Sequence, residues 1–202
     1  MPSWVIFDYG GVISEPTAAL PSIAQLLGVH ENDLTPAYWS ERVEYDRGST
    51  DIEFWQSVGP RLGIEVDAEL AVAAAKMDTA GWLHTDDDTV ELLAELADNG
   101  VALALLSNAP LSFAERVRTL DSLQPRPWTR HFRHLMFSGE LGVLKPDARI
   151  WKALLDQLEA EPADCAFLDD KQPNVDGARD AGMHARLWTG AEDARSWLAS
   201  LT

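Results

Sequence analysis

Cysteine, positive charge and long apolar runs are all scarce in this chain of 202 residues. The single Cys165 excludes an intramolecular disulfide, which suits a reducing, cytoplasmic setting. Lysine and arginine together number 16 against 33 acids, a formal net charge of -17. A field of that sign repels nucleic acid and anionic membrane surfaces, so neither is an expected partner. It repels phosphate esters too, so an anionic substrate requires a cation or a local basic group at its site. The longest clear apolar run, Val101 to Leu106, falls far short of the ~20 residues that span a bilayer. No basic segment followed by a long apolar stretch opens the chain, so no secretory signal is expected. The hydrophobic content of 46% is ordinary for a folded domain. The length allows one substantial domain, or a core domain with a small insert.

The pattern that is present begins with Trp4-Val5-Ile6-Phe7, an apolar run that meets Asp8 and then the pair Gly10-Gly11. A short apolar run bounded by turn residues predicts a strand buried on both faces. Helical periodicity follows, with no convincing strand from about residue 15 to 83. Pro21 opens one helix that Gly28 closes. Thr35-Pro36 predicts the start of a second, ending at Asp46-Arg47-Gly48. Ser49 or Thr50 caps a third, and Asp67 starts a fourth, rich in alanine. The aromatics Tyr38, Trp39, Phe54, Trp55 and Trp82 are expected to form the core of this insert, a minority facing a substrate pocket. Strand and helix then alternate. Asp88 with Glu91, and Ser112 with Glu115, have the spacing of N-cap and N3 pairs. Gln124-Pro125-Arg126-Pro127 predicts a break. Strands are expected at Val101–Leu106, Leu135–Phe137, Cys165–Leu168 and Ala185–Leu187. The alternation predicts an α/β fold, a doubly wound parallel sheet. Residues 1–14 and 84–202 form its core domain, and residues 15–83 a small all-helical insert after the first strand.

Three of the buried strands run into polar residues: Asp8, then Ser107-Asn108, then Asp169-Asp170. Lys145, in Lys145-Pro146-Asp147, opens the helix before the last of them. Each has an ordinary structural reading alone, as a turn, a cap or a helix start. In one parallel sheet they converge on a single crevice at the carboxyl ends of the strands. Carboxylates crowded there repel one another unless a cation joins them, and oxygen ligands suit a hard ion such as Mg2+. Asp8 can then attack phosphorus and form an aspartyl-phosphate. Mg2+ and Lys145 neutralise the phosphoryl oxygens, while the Ser107 hydroxyl and the Asn108 N–H bind them. His131 and His134, spaced i, i+3, have the spacing of a helical metal pair, but beside Arg130 and Arg133 they read as a local basic surface.

With these residues in hand, the chain resembles the haloacid dehalogenase superfamily over nearly its whole length. Phe-Asp-Tyr-Gly-Gly-Val, starting at Phe7, resembles the family's first motif, and Leu-Leu-Ser-Asn, ending at Asn108, the second. Ser138 to Asp147 resembles the third, and Phe167 to Ala178 the fourth. The insert resembles the family's small helical cap, in the style of its phosphatase-like members. The resemblance implies an Mg2+-dependent phosphatase acting on a small phosphorylated metabolite. Asp8 is then the nucleophile, Asp170 a direct metal ligand, and Ser107 and Lys145 phosphate-side groups. Asp169 is a further contact near the metal, and Asn174 stands where many relatives carry another acid. One departure stands out. Most family phosphatases have a second acid two residues after the nucleophile, and here that residue is Gly10. Its carbonyl can ligate Mg2+, but it cannot protonate a leaving alkoxide, a service worth about 10²–10⁴-fold. Glu15, Asp46 and His84 are candidate substitutes. The expected consequence is a bias toward acyl and aryl phosphates, and increased activity on alkyl esters in Gly10→Asp. Two alternatives stay open: a 2-haloacid dehalogenase using Asp8 on carbon without metal, and a degenerate member that binds a phospho-ligand or a protein. A phospho-receiver domain also uses Asp, Lys and Mg2+, but the insert and the early place of Asp8 disfavour it.

Overall fold

Along β1 (Trp4–Phe7), Val5 and Phe7 face one apolar cluster while Ile6 faces another on the opposite side of the sheet. The same alternation runs through β2 (Ala102–Ser107) and β4 (Cys165–Asp169), whose side chains are buried throughout. Strands covered on both faces cannot carry a polar alternation, hence their unbroken apolar runs. In this computed structural model, which describes residues 2–120 and 128–201, β3 (His134–Phe137) and β5 (His184–Leu187) complete a five-stranded sheet. Its order is β3-β2-β1-β4-β5 and every pairing is parallel. The order reverses at β1, where the chain first winds toward β3 and later returns to place β4 on the other side. Such a reversal opens a crevice at the carboxyl ends of the two strands that flank it. Phe7 pairs with Leu168, so Asp8 and Asp169 leave their strands side by side.

Between β1 and β2 lie α1 (Leu20–Leu27), α2 (Glu31–Arg47), α3 (Asp51–Arg61), α4 (Ala68–Gly81) and α5 (Asp87–Asp98). The first four bury an apolar cluster of their own, centred on Tyr38, Phe54, Trp55 and the small residues Ala71, Ala74 and Ala75. A large side chain fully buried there stabilises by roughly 1.5–3 kcal/mol, so the cluster holds these short helices together. Gly28 ends α1 in the left-handed conformation, and Asp67 caps α4. Thr50 and Glu53 close a capping box on α3, with Thr50 N–H donating to Glu53 at 2.8 Å. α2 begins at Glu31, before the expected Thr35-Pro36, with Pro36 inside the helix. Its first turn carries Glu31 and Asp33, acids that the positive end of a helix favours.

The chain returns to the sheet through a bridge between Ser14 and Thr85. Asp86 N–H donates to the Ile13 carbonyl at 2.9 Å, so the extended segment ends there. Asp86, rather than Asp88, is therefore the cap of α5, accepting from Thr89 N–H at 2.8 Å. Ser112 is not a cap either. α6 (Leu111–Arg118) starts after Pro110, and the Ser112 hydroxyl turns to Tyr45 at 3.3 Å. The Gln124–Pro127 break lies outside the described residues. His131 belongs to a short 3-10 turn and His134 to β3, so the pair shares no helix face. α7 (Ser138–Leu141) follows β3 directly. α8 (Ala148–Leu158) is capped by Asp147, and α9 (Gln172–Asp180) and α10 (Ala191–Ser200) complete the layers. The end of α2 rests on the turn around α7. A Cβ on Gly48 would lie 2.8 Å from the Gly139 carbonyl, and its φ of 123° is one that glycine alone adopts freely. Beside it the Ser138 hydroxyl donates to the Asp46 carbonyl. Among the described residues no helix is long and apolar enough to cross a membrane.

Candidate active site

Lys145 lies deep at the switch point, its side chain 1% exposed, with an acceptor for each ammonium proton. Its Nζ meets Asp8 Oδ1 at 2.8 Å, Asp169 Oδ2 at 2.6 Å and the Leu106 carbonyl at 2.8 Å. Asn108 holds the lysine backbone from both sides. Its Oδ1 accepts from Lys145 N–H at 2.9 Å, and its Nδ2 donates to the Lys145 carbonyl at 3.0 Å. The Asn108 side chain thus positions Lys145, a duty the sequence reading did not assign to it. Asp169 is wholly buried and fully engaged. Besides Lys145 it accepts from Lys171 N–H at 2.8 Å and from Asn174 Nδ2, at 3.0 Å to each oxygen. Asn174, which stands where many relatives carry another acid, lines the same cavity and holds Asp169 in place.

Asp8 keeps one carboxylate oxygen beyond the lysine contact. Its carboxyl is pushed up to about 6, first by burial and then by Asp169, against the pull of Lys145. Burial lowers the basicity of Lys145, but the two flanking acids outweigh it and hold the ammonium above its usual range. Asp170 is also raised, by burial and then by Asp169. Oxygens of Asp8, Asp169 and Asp170 all lie within 4.8 Å of one another. Three carboxylates with one ammonium leave a net charge of about -2 in a partly desolvated space, the condition under which a hard divalent ion binds oxygen donors. With Asp169 committed to its donors, Asp8, Asp170 and the carbonyl of Gly10 are the groups that fit such an ion. Gly11, at φ 75°, makes room for Asp170, whose Oδ2 would lie 2.8 Å from a Cβ there.

Asp8, Gly10, Gly11, Lys145 and Asp170, but not the buried Asp169, line a cavity of about 240 Å³, which Ser107 and Asn108 also line. The opposite wall comes from the helical insert: Trp39, Arg42, Asp46 and Trp82. Arg42 donates to Asp46 Oδ1 at 2.7 Å and to Asp78 Oδ2 at 3.3 Å, and also meets the Tyr38 hydroxyl, which donates to Asp78 at 2.8 Å. Burial raises the carboxyls of both acids against the pull of Arg42. Sequence reasoning missed this network apart from Asp46, although the i, i+4 spacing of Arg42 and Asp46 on α2 was a visible sign of a pair. Glu15 and His84, the other candidate acids, do not line this cavity and instead pair through their backbones at 3.0 Å. Of the insert's aromatics, Tyr38, Phe54 and Trp55 are buried. Trp39, 45% exposed, and Trp82 face the cavity.

A family model for haloacid dehalogenase-like hydrolases matches residues 3–182. The chain belongs to the haloacid dehalogenase-like hydrolases. This hydrolase is 27% identical over 186 residues to the sesquiterpene phosphatase astK of Aspergillus oryzae, covering 88% of the chain and 85% of the relative. It is 25% identical over 193 residues to the phosphatase MT3486 of Mycobacterium tuberculosis, covering 92% and 86%. The haloacid dehalogenase-family enzyme bt-2542 of Bacteroides thetaiotaomicron, solved with magnesium and inorganic phosphate, shares the fold. Its TM-score is 0.72 at 18% identity over 93% of this chain and 94% of that one. L-2-haloacid dehalogenase from Xanthobacter autotrophicus also shares it, with a TM-score of 0.70 at 20% identity over 92% and 76%. Phosphatases recur among the sequence relatives, so this hydrolase is an enzyme of the phosphatase-like kind.

Proposed function

We propose that this hydrolase is an Mg2+-dependent phosphatase that cleaves small phosphorylated metabolites through an aspartyl-phosphate on Asp8. The observation that carries the reading is Lys145 bonded at once to Asp8 and Asp169, with Asp170 beside them at the ends of neighbouring strands. The free Asp8 oxygen attacks phosphorus, the P–O bond to the alcohol breaks, and the electron pair leaves on the alcohol oxygen. Lys145 holds Asp8 in place and supplies positive charge next to the phosphoryl oxygens, where charge stabilisation counts most. Ser107 and the Asn108 N–H bind the same oxygens. Water then attacks phosphorus and restores Asp8. Mg2+, held by Asp8, Asp170 and the Gly10 carbonyl, would screen the phosphate charge from the acids. Residues 15–83 serve as a cap over the crevice, and residues 1–14 and 84–202 as the core. The magnesium and phosphate bound by bt-2542 support this reading by analogy of fold. The buried Cys165 supports a reducing, cytoplasmic setting.

Phosphate release from a panel of phosphomonoesters, with Mg2+ and with EDTA, tests the proposal. Release that requires Mg2+ and disappears in Asp8→Asn is expected. Release that persists in Asp8→Asn, or halide release from 2-haloacids in EDTA, refutes it.

A further inference from the structure

Gly10 stands where the family pattern places a proton-donating acid, and the structure shows what occupies the adjoining space. A Cβ built on Gly10 would lie 3.4 Å from Cζ3 of Trp82 and 4.0 Å from its Cη2. The first carbon of a side chain there would sit in ordinary van der Waals contact with the indole, so the ring borders the position directly. Trp82 is held at both ends. Its carbonyl accepts from the Tyr9 hydroxyl at 2.6 Å, and its Nε1 donates to the Tyr38 hydroxyl at 3.3 Å. Trp39 meets its ring edge to face with centroids 6.3 Å apart, and the Arg42 guanidinium lies 5.8 Å from the ring centre. Gly10 itself thus offers no side-chain proton donor, and an aromatic wall held by these contacts stands beside it.

We propose that Trp82 and Trp39 form a ring-binding wall in place of the missing acid, so that the site selects phosphomonoesters whose alcohol is a phenol. The inference rests on the phosphatase reading above and names its substrate class. A phenol departs as an aryloxide. When Asp8 attacks, the P–O(aryl) bond breaks and its electron pair stays on the phenolic oxygen, spread into the ring, with no proton needed. In the second step water adds to phosphorus and the P–O(Asp8) bond breaks. Both of the water's hydrogens stay on the departing phosphate, which leaves as dihydrogen phosphate while Asp8 returns to its carboxylate. An alkyl ester has no such outlet and needs a proton that Gly10 does not supply, while Asp46, the acid that lines the cavity, is paired with Arg42. The cavity also bounds the size. At about 240 Å³ it lies below the roughly 300–1,000 Å³ usual for drug-sized ligands, which favours a single ring over a long isoprenoid chain.

The test is steady-state kinetics of the whole chain with Mg2+ on phenyl, acetyl, glycerol and farnesyl phosphates. Phenyl phosphate is expected to exceed the glycerol and farnesyl esters in kcat/KM by about 10²-fold or more, the lower range of general acid catalysis. Trp82→Leu is expected to raise KM for phenyl phosphate by up to about tenfold, the limit of one aromatic contact, and to raise it less for ringless acetyl phosphate. A measurement that needs no variant is inhibition of wild type, where phenylphosphonate should bind several-fold tighter than methylphosphonate. Glycerol or farnesyl phosphate turned over within about tenfold of phenyl phosphate, against the range set for a missing acid, overturns the inference and leaves the phosphatase reading standing. Equal inhibition by the two phosphonates overturns it in the same way. No Mg2+-dependent turnover of any ester overturns both.

Discussion

Lys145→Met isolates the interaction on which the active-site geometry depends. Methionine keeps an unbranched apolar stem but removes the ammonium, and with it contacts of 2.8 Å to Asp8 and 2.6 Å to Asp169. The lysine side chain is 1% exposed, that of Asp169 0% and that of Asp8 9%, so solvent replaces little of what is lost. Breaking a buried pair by removing one partner costs about 3–5 kcal/mol. Asp169 retains Lys171 N–H and Asn174, so the penalty falls mainly on Asp8, which has fewer other partners. In a chain of this size the loss corresponds to a melting temperature lower by roughly 6–20 °C. The assay is thermal and urea denaturation in EDTA, because Mg2+ would take over part of the lysine's charge and mask the effect. Asp8→Asn in the same background should recover most of the loss, a strongly non-additive double-mutant cycle. A loss below about 1 kcal/mol, the scale of an exposed ion pair, would refute the reasoning. So would a cycle in which the two substitutions simply add.

Three further outcomes are expected. Asp46 and Asp78 are both held above the ordinary carboxylate value of 3.8, by burial first. The folded protein then binds these protons more tightly than the unfolded chain, so this contribution is full below 3.8 and is lost as pH rises through the raised values. Asp78→Asn should flatten the rise in stability that wild type shows on acidification, where each proton taken up contributes at most about 1.4 kcal/mol per pH unit; parallel melting curves from pH 4 to pH 8, a range of about four units set around the carboxylate values, would contradict this. Mg2+ should raise the melting temperature of wild type, and Asp170→Asn should weaken that response by at least about tenfold in half-saturating Mg2+, about 1.4 kcal/mol. An unchanged dependence on Mg2+ would remove Asp170 from the ligand set. Gly48→Ala should destabilise by about 1–3 kcal/mol, since it combines a left-handed φ with a clash on the Gly139 carbonyl. Unchanged urea denaturation would show that the α2 end is free to shift.

Much of the fold was readable because it depends on local chemistry and on burial pattern. The unbroken runs at Val5–Phe7 and Leu103–Leu106 mark strands covered on both faces. Gly28, Thr50 and Asp67 mark helix ends through the turn and cap interactions that their own atoms make. Reading failed where neighbours distant in sequence decide. Asp88 and Ser112 have the spacing of caps, yet the bridge between Ser14 and Thr85 ends the extended segment at Asp86, and Ser112 lies inside a helix that starts after Pro110 and turns its hydroxyl to Tyr45. Gly10→Asp shows the same limit. From sequence it restores a missing acid, and only the structure shows that its Cβ would meet Trp82 at 3.4 Å, an ordinary van der Waals distance.

The strands along the chain and the acids at their ends follow from the sequence alone, because a buried parallel strand needs a continuous apolar run and releases its first polar residue at the crevice; their lateral order, with β1 between β2 and β4, came from the structure. That Asp169 is bound up by Lys145, Asn174 and Lys171 while Asp8 and Asp170 keep oxygens to offer was decided only by tertiary packing. The same is true of Asp78, which reaches Arg42 and Tyr38 of α2 only because the insert's helices share one core, whereas Arg42 and Asp46 are neighbours on α2 itself. Which acceptor a buried donor reaches depends on ångström-scale placement of elements brought together from far along the chain, and no spacing within one segment encodes it.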